Sequence, residues 1–365
     1  MLRPLLVGFT ALVVTIGLGY TAWNRLYAEY LAPADEADTS PVAFSVTSGQ
    51  SLSRVANNLE SAGLIRSGTV FKYYCDFAGF GQKIQAGDYE LNRAMTMNDI
   101  ADRLTQGDGS PLVRNITLIP GWSVEDFAAY LKDEGVIAST DTFLRLCREG
   151  TAFSDFYYVA DVLGSNAGQR KYALEGYLAA NTYEVYVTAT EEDIIRRLLS
   201  QTERLFPADM QDAAASIGLT MNETLTLASL IEKEAKTSDF AKVSAVFHNR
   251  LKAGMPLESD VTVHYATGIR RMSLTADDLN TDSPYNTYRV KGLPPGPICS
   301  PSGDAIAAAL NPDPLYVAEN YLYFCAKEPE SGELYFSRTL SEHQRAVEIY
   351  APLWRIWDEK RGLKE

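Results

Sequence analysis

Hydrophobic and polar positions follow several different periods along this chain, and each period predicts a different element. Leu5 to Trp23 is a run of nineteen residues without a charge, long enough to cross a bilayer as one helix. Trp23 and Tyr27 stand where interfacial anchors would lie, and no Ala-x-Ala cleavage site follows the run. The pattern predicts a retained transmembrane helix over 5–25 behind a short tail over 1–4. A tail this short favours staying inside, which exports everything after it. Leu31 to Val42 is polar, acidic and carries prolines, and predicts a tether within 26–42.

From Phe44 onward the pattern repeats at an offset of 72 residues without gaps. Phe44 to Ser51 aligns with Ile116 to Ser123, and the register continues through Val55 and Phe127, Leu59 and Leu131, Gly63 and Gly135, Ile65 and Ile137, Ser67 and Ser139, Phe71 and Phe143, and Cys75 and Cys147. Each copy predicts a short strand, a Gly-containing turn and a helix capped by Ser51 or Ser123. That helix ends at Gly63 or Gly135, and a second begins after Ser67 or Ser139. The matched cysteines lie on the second helix, which favours a place in the core. With a further strand at Gly87 to Leu91, the first copy resembles a LysM-like module over 43–107. Such a module either binds glycan or serves only as scaffold.

A third pattern carries candidate chemistry. Leu227, Leu230 and Ile231 lie seven, four and three residues before Glu234, so one helical face bears all four. A carboxyl on an apolar face loses hydration, its charged form is disfavoured and its pKa rises. It can then act as a general acid near neutral pH. Glu232 is the rival, but its neighbours at those spacings are Leu225, Ala228 and Ser229, a smaller and wetter surround. Glu234 is the expected acid of the two. The ordinary alternative is a solvated glutamate paired with Lys233 or Lys236.

Composition narrows the classes. Hydrophobic residues make up 46% and charged residues 22%, as in an ordinary globular protein with room for two or three domains. A formal net charge of −14 excludes nucleic acid as the expected ligand, because phosphate binding needs a basic face. Sugars remain compatible. Cys75, Cys147, Cys299 and Cys325 form no CxxC pair, and His248, His264 and His343 are scattered, so neither metal nor cofactor is expected. An exported domain could form a disulfide, with Cys299 and Cys325 the likelier pair, and buried free thiols are at least as well supported.

Several motifs from Glu175 to His343 occur in an order that is similar to one known family. Ala228 to Glu234 resembles its active-site helix, whose second Glu is the catalytic one. Val246 to Leu251 resembles the next helix, and Leu257 to Val263 a loop that carries an aspartate, Asp260. Pro284 to Tyr288 and Gly292 to Ile298 resemble its most specific signature. Tyr321 to Phe324, Phe336 and His343 resemble its last strands and final motif. The family is that of the endolytic murein transglycosylases (MltG or YceG-like), and the resemblance covers nearly the whole chain. Two departures stand out: Ala180 and Asn181 replace a Pro-Asp pair within Glu175 to Tyr183, and Val261 replaces a common Pro.

The resemblance implies an α+β fold with an N-terminal single transmembrane helix, a LysM-like module and a mixed α/β catalytic domain over 108–365. It implies a lytic transglycosylase that needs one acid where hydrolytic glycosidases use two. Glu234 would protonate the MurNAc–GlcNAc β-1,4 link within nascent strands. It would then take the C6 hydroxyl proton as a 1,6-anhydro ring closes. Asn286, Thr287 and Tyr288 would meet glycan hydroxyls and amides, and Tyr285 and Tyr323 would offer faces to sugar rings. Asp260 would assist Glu234, orient the acetamido group or simply cap a loop. Asn249, Arg250 and Glu175 are further candidates for the site, Arg250 through an ion pair with a carboxylate such as Glu232. The expected partners are peptidoglycan strands, peptidoglycan synthases (penicillin-binding proteins) and, through one helix, the inner membrane with the catalytic domain in the periplasm. Two rivals are a muramidase using Glu234 and Asp260, and an idle tethered glycan-binding protein.

Overall fold

A computed structural model describes residues 20–21, 24–25, 27–47, 50–81, 83–106, 113–187 and 189–363. The chain divides into two compact units, residues 1–114 with 186–188, and residues 115–185 with 189–365. Each has its own apolar core.

The first unit contains β1 (Val42–Val46), α1 (Leu52–Ser61), α2 (Gly68–Ala78), β2 (Gly87–Leu91) and α3 (Met97–Gln106). β1 and β2 run antiparallel, with Val42 opposite Leu91 and Val46 opposite Gly87. Phe44 and Val46 alternate inward from β1 and meet Val55 and Leu59 of α1, Phe71 of α2 and Leu104 of α3. Before β1, the Arg66 guanidinium donates to the carbonyls of Ala28 and Pro33 at 3.1 and 2.9 Å.

The chain continues through β3 (Val113–Thr117), α4 (Val124–Asp133), α5 (Thr140–Glu149), α6 (Tyr157–Ser165), β4 (Thr182–Tyr186), α7 (Glu191–Leu205) and α8 (Ala208–Ser216). Next come α9 (Met221–Glu234), α10 (Phe240–Lys252), α11 (Asp260–Thr267), α12 (Ala276–Leu279), α13 (Gly303–Leu310) and α14 (Pro314–Ala318). β5 (Tyr323–Ala326), β6 (Leu334–Ser337) and α15 (Leu340–Lys360) complete it. β3 pairs with β4 and β5 with β6. In the second unit α9 lies at the centre of the packing, touching α6, α8, α10, α11 and α13.

The sequence repeat is a structural one. α1 and α4 both begin 72 residues apart, after Ser51 and Ser123, whose hydroxyls accept from the N–H groups of Arg54 and Asp126. Gly63 and Gly135 both adopt positive φ, +67° and +62°. Ser67 and Ser139 then cap α2 and α5 in the same way. Both copies continue into a strand and a helix, β2 with α3 and β4 with α7. They differ in that residues 151–181, with α6, enter the second copy before its closing strand.

One expectation is corrected. The fold is a helix-rich α+β one, but among the described residues no helix is long and apolar enough to cross a membrane. Of the predicted 5–25 span, residues 5–19, 22 and 23 lie outside the described ones. The described remainder, Tyr20, Thr21, Asn24 and Arg25, is exposed. The longest described helix, α15, carries Glu342, Arg345, Glu348, Arg355, Asp358 and Glu359 along its length. The membrane attachment inferred from the predicted helix loses its support with it. Of the two alternatives left open for the cysteines, the structure has the free thiols: all four are unpaired and buried. The Cys299 thiol instead meets the Ser229 carbonyl at 3.5 Å.

Candidate active site

α9 starts with a reciprocal cap. The Thr220 hydroxyl accepts from the Glu223 N–H, and the Glu223 carboxylate accepts from the Thr220 N–H at 2.8 Å. Leu227, Leu230 and Ile231 are fully buried, as the spacing predicts. Thr224, Thr226 and Ser229 on the other faces are buried too, because their hydroxyls return to helix carbonyls at 2.7–2.9 Å. The helix therefore runs through the core from Thr224 to Ile231 and emerges again in its last turn. That turn carries Glu232 and Glu234.

The two carboxyls have different surroundings. One oxygen of Glu232 accepts from the N–H and hydroxyl of Ser302, at 2.9 and 2.5 Å, and so braces the cap of α13. Glu234, the last residue of α9, accepts a hydrogen bond from the Ser259 hydroxyl. Loss of hydration pushes the Glu234 pKa up to about 8; Ser259 opposes that rise and the nearby Asp260 adds to it. The negative end of the helix dipole acts in the same direction as burial. Part of the residue stays open to solvent. Glu234 is thus a carboxyl that burial keeps protonated near neutral pH and that Ser259 orients.

Ser259 was not singled out by the sequence. It occupies the cap position of α11, yet its hydroxyl makes no capping bond. The same hydroxyl is spent on Glu234, 25 residues away. Thr287 holds Ser259 in place: its hydroxyl accepts the Ser259 N–H at 3.0 Å and lies 2.9 Å from the Thr262 hydroxyl, while its carbonyl accepts from Glu258 at 3.2 Å. Glu258 has a φ of +50°, unusual without glycine. An ion pair to Arg250 holds it there, and the Arg250 Nε donates to the Pro256 carbonyl at 2.8 Å.

Several expected contact residues turn inward. Asn286 is fully buried and donates to the carbonyls of Leu279 and Thr281 at 2.9 and 2.8 Å. Thr287 is fully buried in the network just described. Asn249 donates to the carbonyls of Tyr316 and Tyr321, at 3.1 and 2.9 Å. Arg250 pairs with Glu258 and not with Glu232. The Tyr323 ring has the Arg250 guanidinium 5.4 Å and the His343 ring 5.3 Å from its centroid. Tyr285 is buried against Tyr265 at 4.8 Å. Asn181 is exposed; its side-chain oxygen accepts from the adjacent Thr182 N–H, and its carbonyl accepts from the Leu118 N–H at 2.9 Å.

The structure brings Asp260 and Tyr288 beside Glu234. The Tyr288 hydroxyl donates to Asp260, whose pKa is raised by burial while Tyr288 and His264 oppose the rise. Glu175 is completely buried, with its oxygens accepting from the Val124 N–H and the Tyr265 hydroxyl, both at 3.0 Å. Burial pushes its pKa up to about 7 against those two donors. Because Tyr265 lies on α11, Glu175 ties the start of α4 to the helix that presents Asp260. Its neighbour Gly176 has φ +76°, and a Cβ there would come within 2.2 Å of Pro297, so glycine is what lets the 292–298 signature pack on this segment. Among the described residues, no group of three or more His, Cys, Asp or Glu side chains could hold a metal ion.

Comparisons with known proteins place the chain in a family. Residues 44–349 match the sequence profile of the YceG-like family. The chain is 37% identical to the endolytic murein transglycosylase of Bacillus subtilis (strain 168), over 88% of each protein. It is 30% identical to that of Streptococcus pneumoniae serotype 2 (strain D39), over 94% of this chain and 65% of the relative. The crystal structure of a putative YceG-like protein from Listeria monocytogenes superposes with a TM-score of 0.55 at 30% identity, covering 84% of this chain and 98% of that one.

Proposed function

The chain belongs to the YceG-like family, and from that premise we propose that it is an endolytic murein transglycosylase with Glu234 as its acid. Its substrate is peptidoglycan, cleaved within nascent glycan strands. The observation that carries the residue assignment is the carboxyl at the end of α9, protonated near neutral pH and aimed by Ser259.

Glu234 gives its proton to the glycosidic oxygen as the bond from MurNAc C1 breaks and GlcNAc leaves. The oxocarbenium character at C1 is relieved by the neighbouring acetamido oxygen. The C6 hydroxyl of the same MurNAc then attacks C1 and returns its proton to Glu234. A 1,6-anhydro ring forms, no water is consumed and the enzyme is regenerated. The intramolecular nucleophile needs no second protein base, since its effective concentration is already high. Asp260, tied to Tyr288, keeps negative charge next to Glu234 and favours the protonated form from which the cycle starts. Glycan-polymerising synthases, the penicillin-binding proteins, are the proposed partners, because their strands are the substrate. The site of action is then the exported side of the cytoplasmic membrane.

Digestion of purified peptidoglycan with wild type and Glu234→Gln, read by mass spectrometry of product ends, tests this. Internal fragments ending in 1,6-anhydroMurNAc are expected from the wild type. In the variant, which keeps the shape but has no proton to give, their rate of appearance should fall by about 10²–10⁴-fold. Reducing MurNAc ends would identify a hydrolase, and undiminished cleavage by Glu234→Gln would remove the assignment of the acid.

A further inference from the structure

A cavity of about 860 Å³ lies beside Asp260 and Tyr288, and its opposite wall is the last part of α15. That volume falls within the ~300–1,000 Å³ of small-ligand sites. The side chains on its walls are held unequally. Asp358 accepts from the N–H groups of Met272 and Ser273, at 2.8 and 2.9 Å, and so latches that segment to α15. Arg271 pairs with Asp278, but its buried Nε has no acceptor. Trp354 is half-buried, and its indole N–H donates to the carbonyls of Ala326 and Lys327 at 3.2 and 3.3 Å. Arg355 is exposed and makes no ion pair among the described residues.

These states suit one kind of ligand. An indole fixed through its N–H presents an apolar face with little entropy left to lose, as stacking on a pyranose ring requires. An unpaired guanidinium at the rim matches a carboxylate, which it can grip with two parallel hydrogen bonds. The unmet Arg271 Nε donor suits a carbonyl. A sugar, a carbonyl and a carboxylate occur together in a muramic acid residue bearing its acidic peptide.

We propose that this cavity is the subsite for a MurNAc residue with its peptide stem, Trp354 receiving the sugar ring and Arg355 a stem carboxylate. The choice of ligand rests on the murein reading above; the arrangement of the walls does not. The enzyme then reads the peptide as well as the glycan, and prefers strands whose stems are still attached.

Calorimetric titration of the full chain carrying Glu234→Gln, which removes turnover, tests the assignment with two probes: GlcNAc–MurNAc whose lactyl carboxyl is capped as its methylamide, so that it carries no carboxylate, and GlcNAc–MurNAc–pentapeptide. The peptide-bearing probe should bind at least about tenfold more tightly, a difference of ~1.4 kcal/mol. Adding Arg355→Ala should erase that difference and leave the affinity for the capped disaccharide unchanged. Trp354→Ala should weaken both probes. Arg355 is the deciding position, because removing an exposed side chain leaves no hole in a core. Ile349→Ala, at an exposed position of α15 away from the cavity, should change neither affinity. Equal affinity for the two probes, no binding of either, or a difference that survives Arg355→Ala would overturn the proposal. Peptide-dependent binding in a protein whose wild type yields no anhydro ends would overturn the transglycosylase reading alone.

Discussion

Glu232 and Glu234 leave the same turn of α9 two residues apart, and their surroundings give them different work. Glu232 meets the Ser302 N–H and serves the fold; Glu234 loses its hydration and keeps its proton to about pH 8. A general acid is active while protonated, so kcat/KM should fall as pH rises through about 8. The Ser259 hydroxyl favours the charged carboxylate, so Ser259→Ala should raise the Glu234 pKa further and move that basic limb to higher pH. The rate on the plateau should fall about tenfold, since an aimed, charge-assisted bond is worth ~1.5 kcal/mol or more. A pH–rate profile whose limb stays in place would show that Glu234 is not the titrating group. Spacing alone put Glu234 on an apolar face, because its apolar neighbours are on its own helix. Nothing local marked Ser259, which reads as an ordinary helix cap and meets its partner only through the fold.

Among the elements, α11 has the most demanding placement, since it must hold Ser259 and Asp260 at the end of α9. It is fastened at its start by the Thr287 network and along its length by the Tyr265–Glu175 bond. Thr287→Val keeps the volume but leaves the buried Ser259 N–H without an acceptor. Unfolding by urea should show a loss of about 1–3 kcal/mol, with the anhydro-forming rate falling as well. An unchanged midpoint would mean that the hydroxyl does not hold the loop. The Pro284–Tyr288 motif was legible as important, but its direction was not. Amides and hydroxyls look the same in sequence whether they face a ligand or a backbone, and Asn286 and Thr287 face backbone and neighbouring hydroxyls. The elements of the repeat were more legible, because Ser caps, Gly stops and apolar spacing all act within a few residues.

Across the whole molecule, two separate cores and no disulfide carry the fold. The four thiols are buried, and burial pushes Cys325 up to about 11 and Cys75 up to about 12. Melting temperatures with and without dithiothreitol should agree within about 1 °C, because no cross-link restrains the unfolded chain. A fall of several degrees on reduction would reveal a bridge. The expected membrane helix was the least secure large-scale feature, since nineteen uncharged residues satisfy a length criterion without any tertiary partner to check it. The repeat, by contrast, recurs in both sequence and element order.

That duplication has a practical meaning. The two copies differ chiefly by residues 151–181, which interrupt the second one and bring Glu175 and Gly176 to the neighbourhood of α11. The first copy is the same frame without that segment. It marks the two seams, between α5 and β4, at which the frame tolerates an inserted segment and at which another can be spliced.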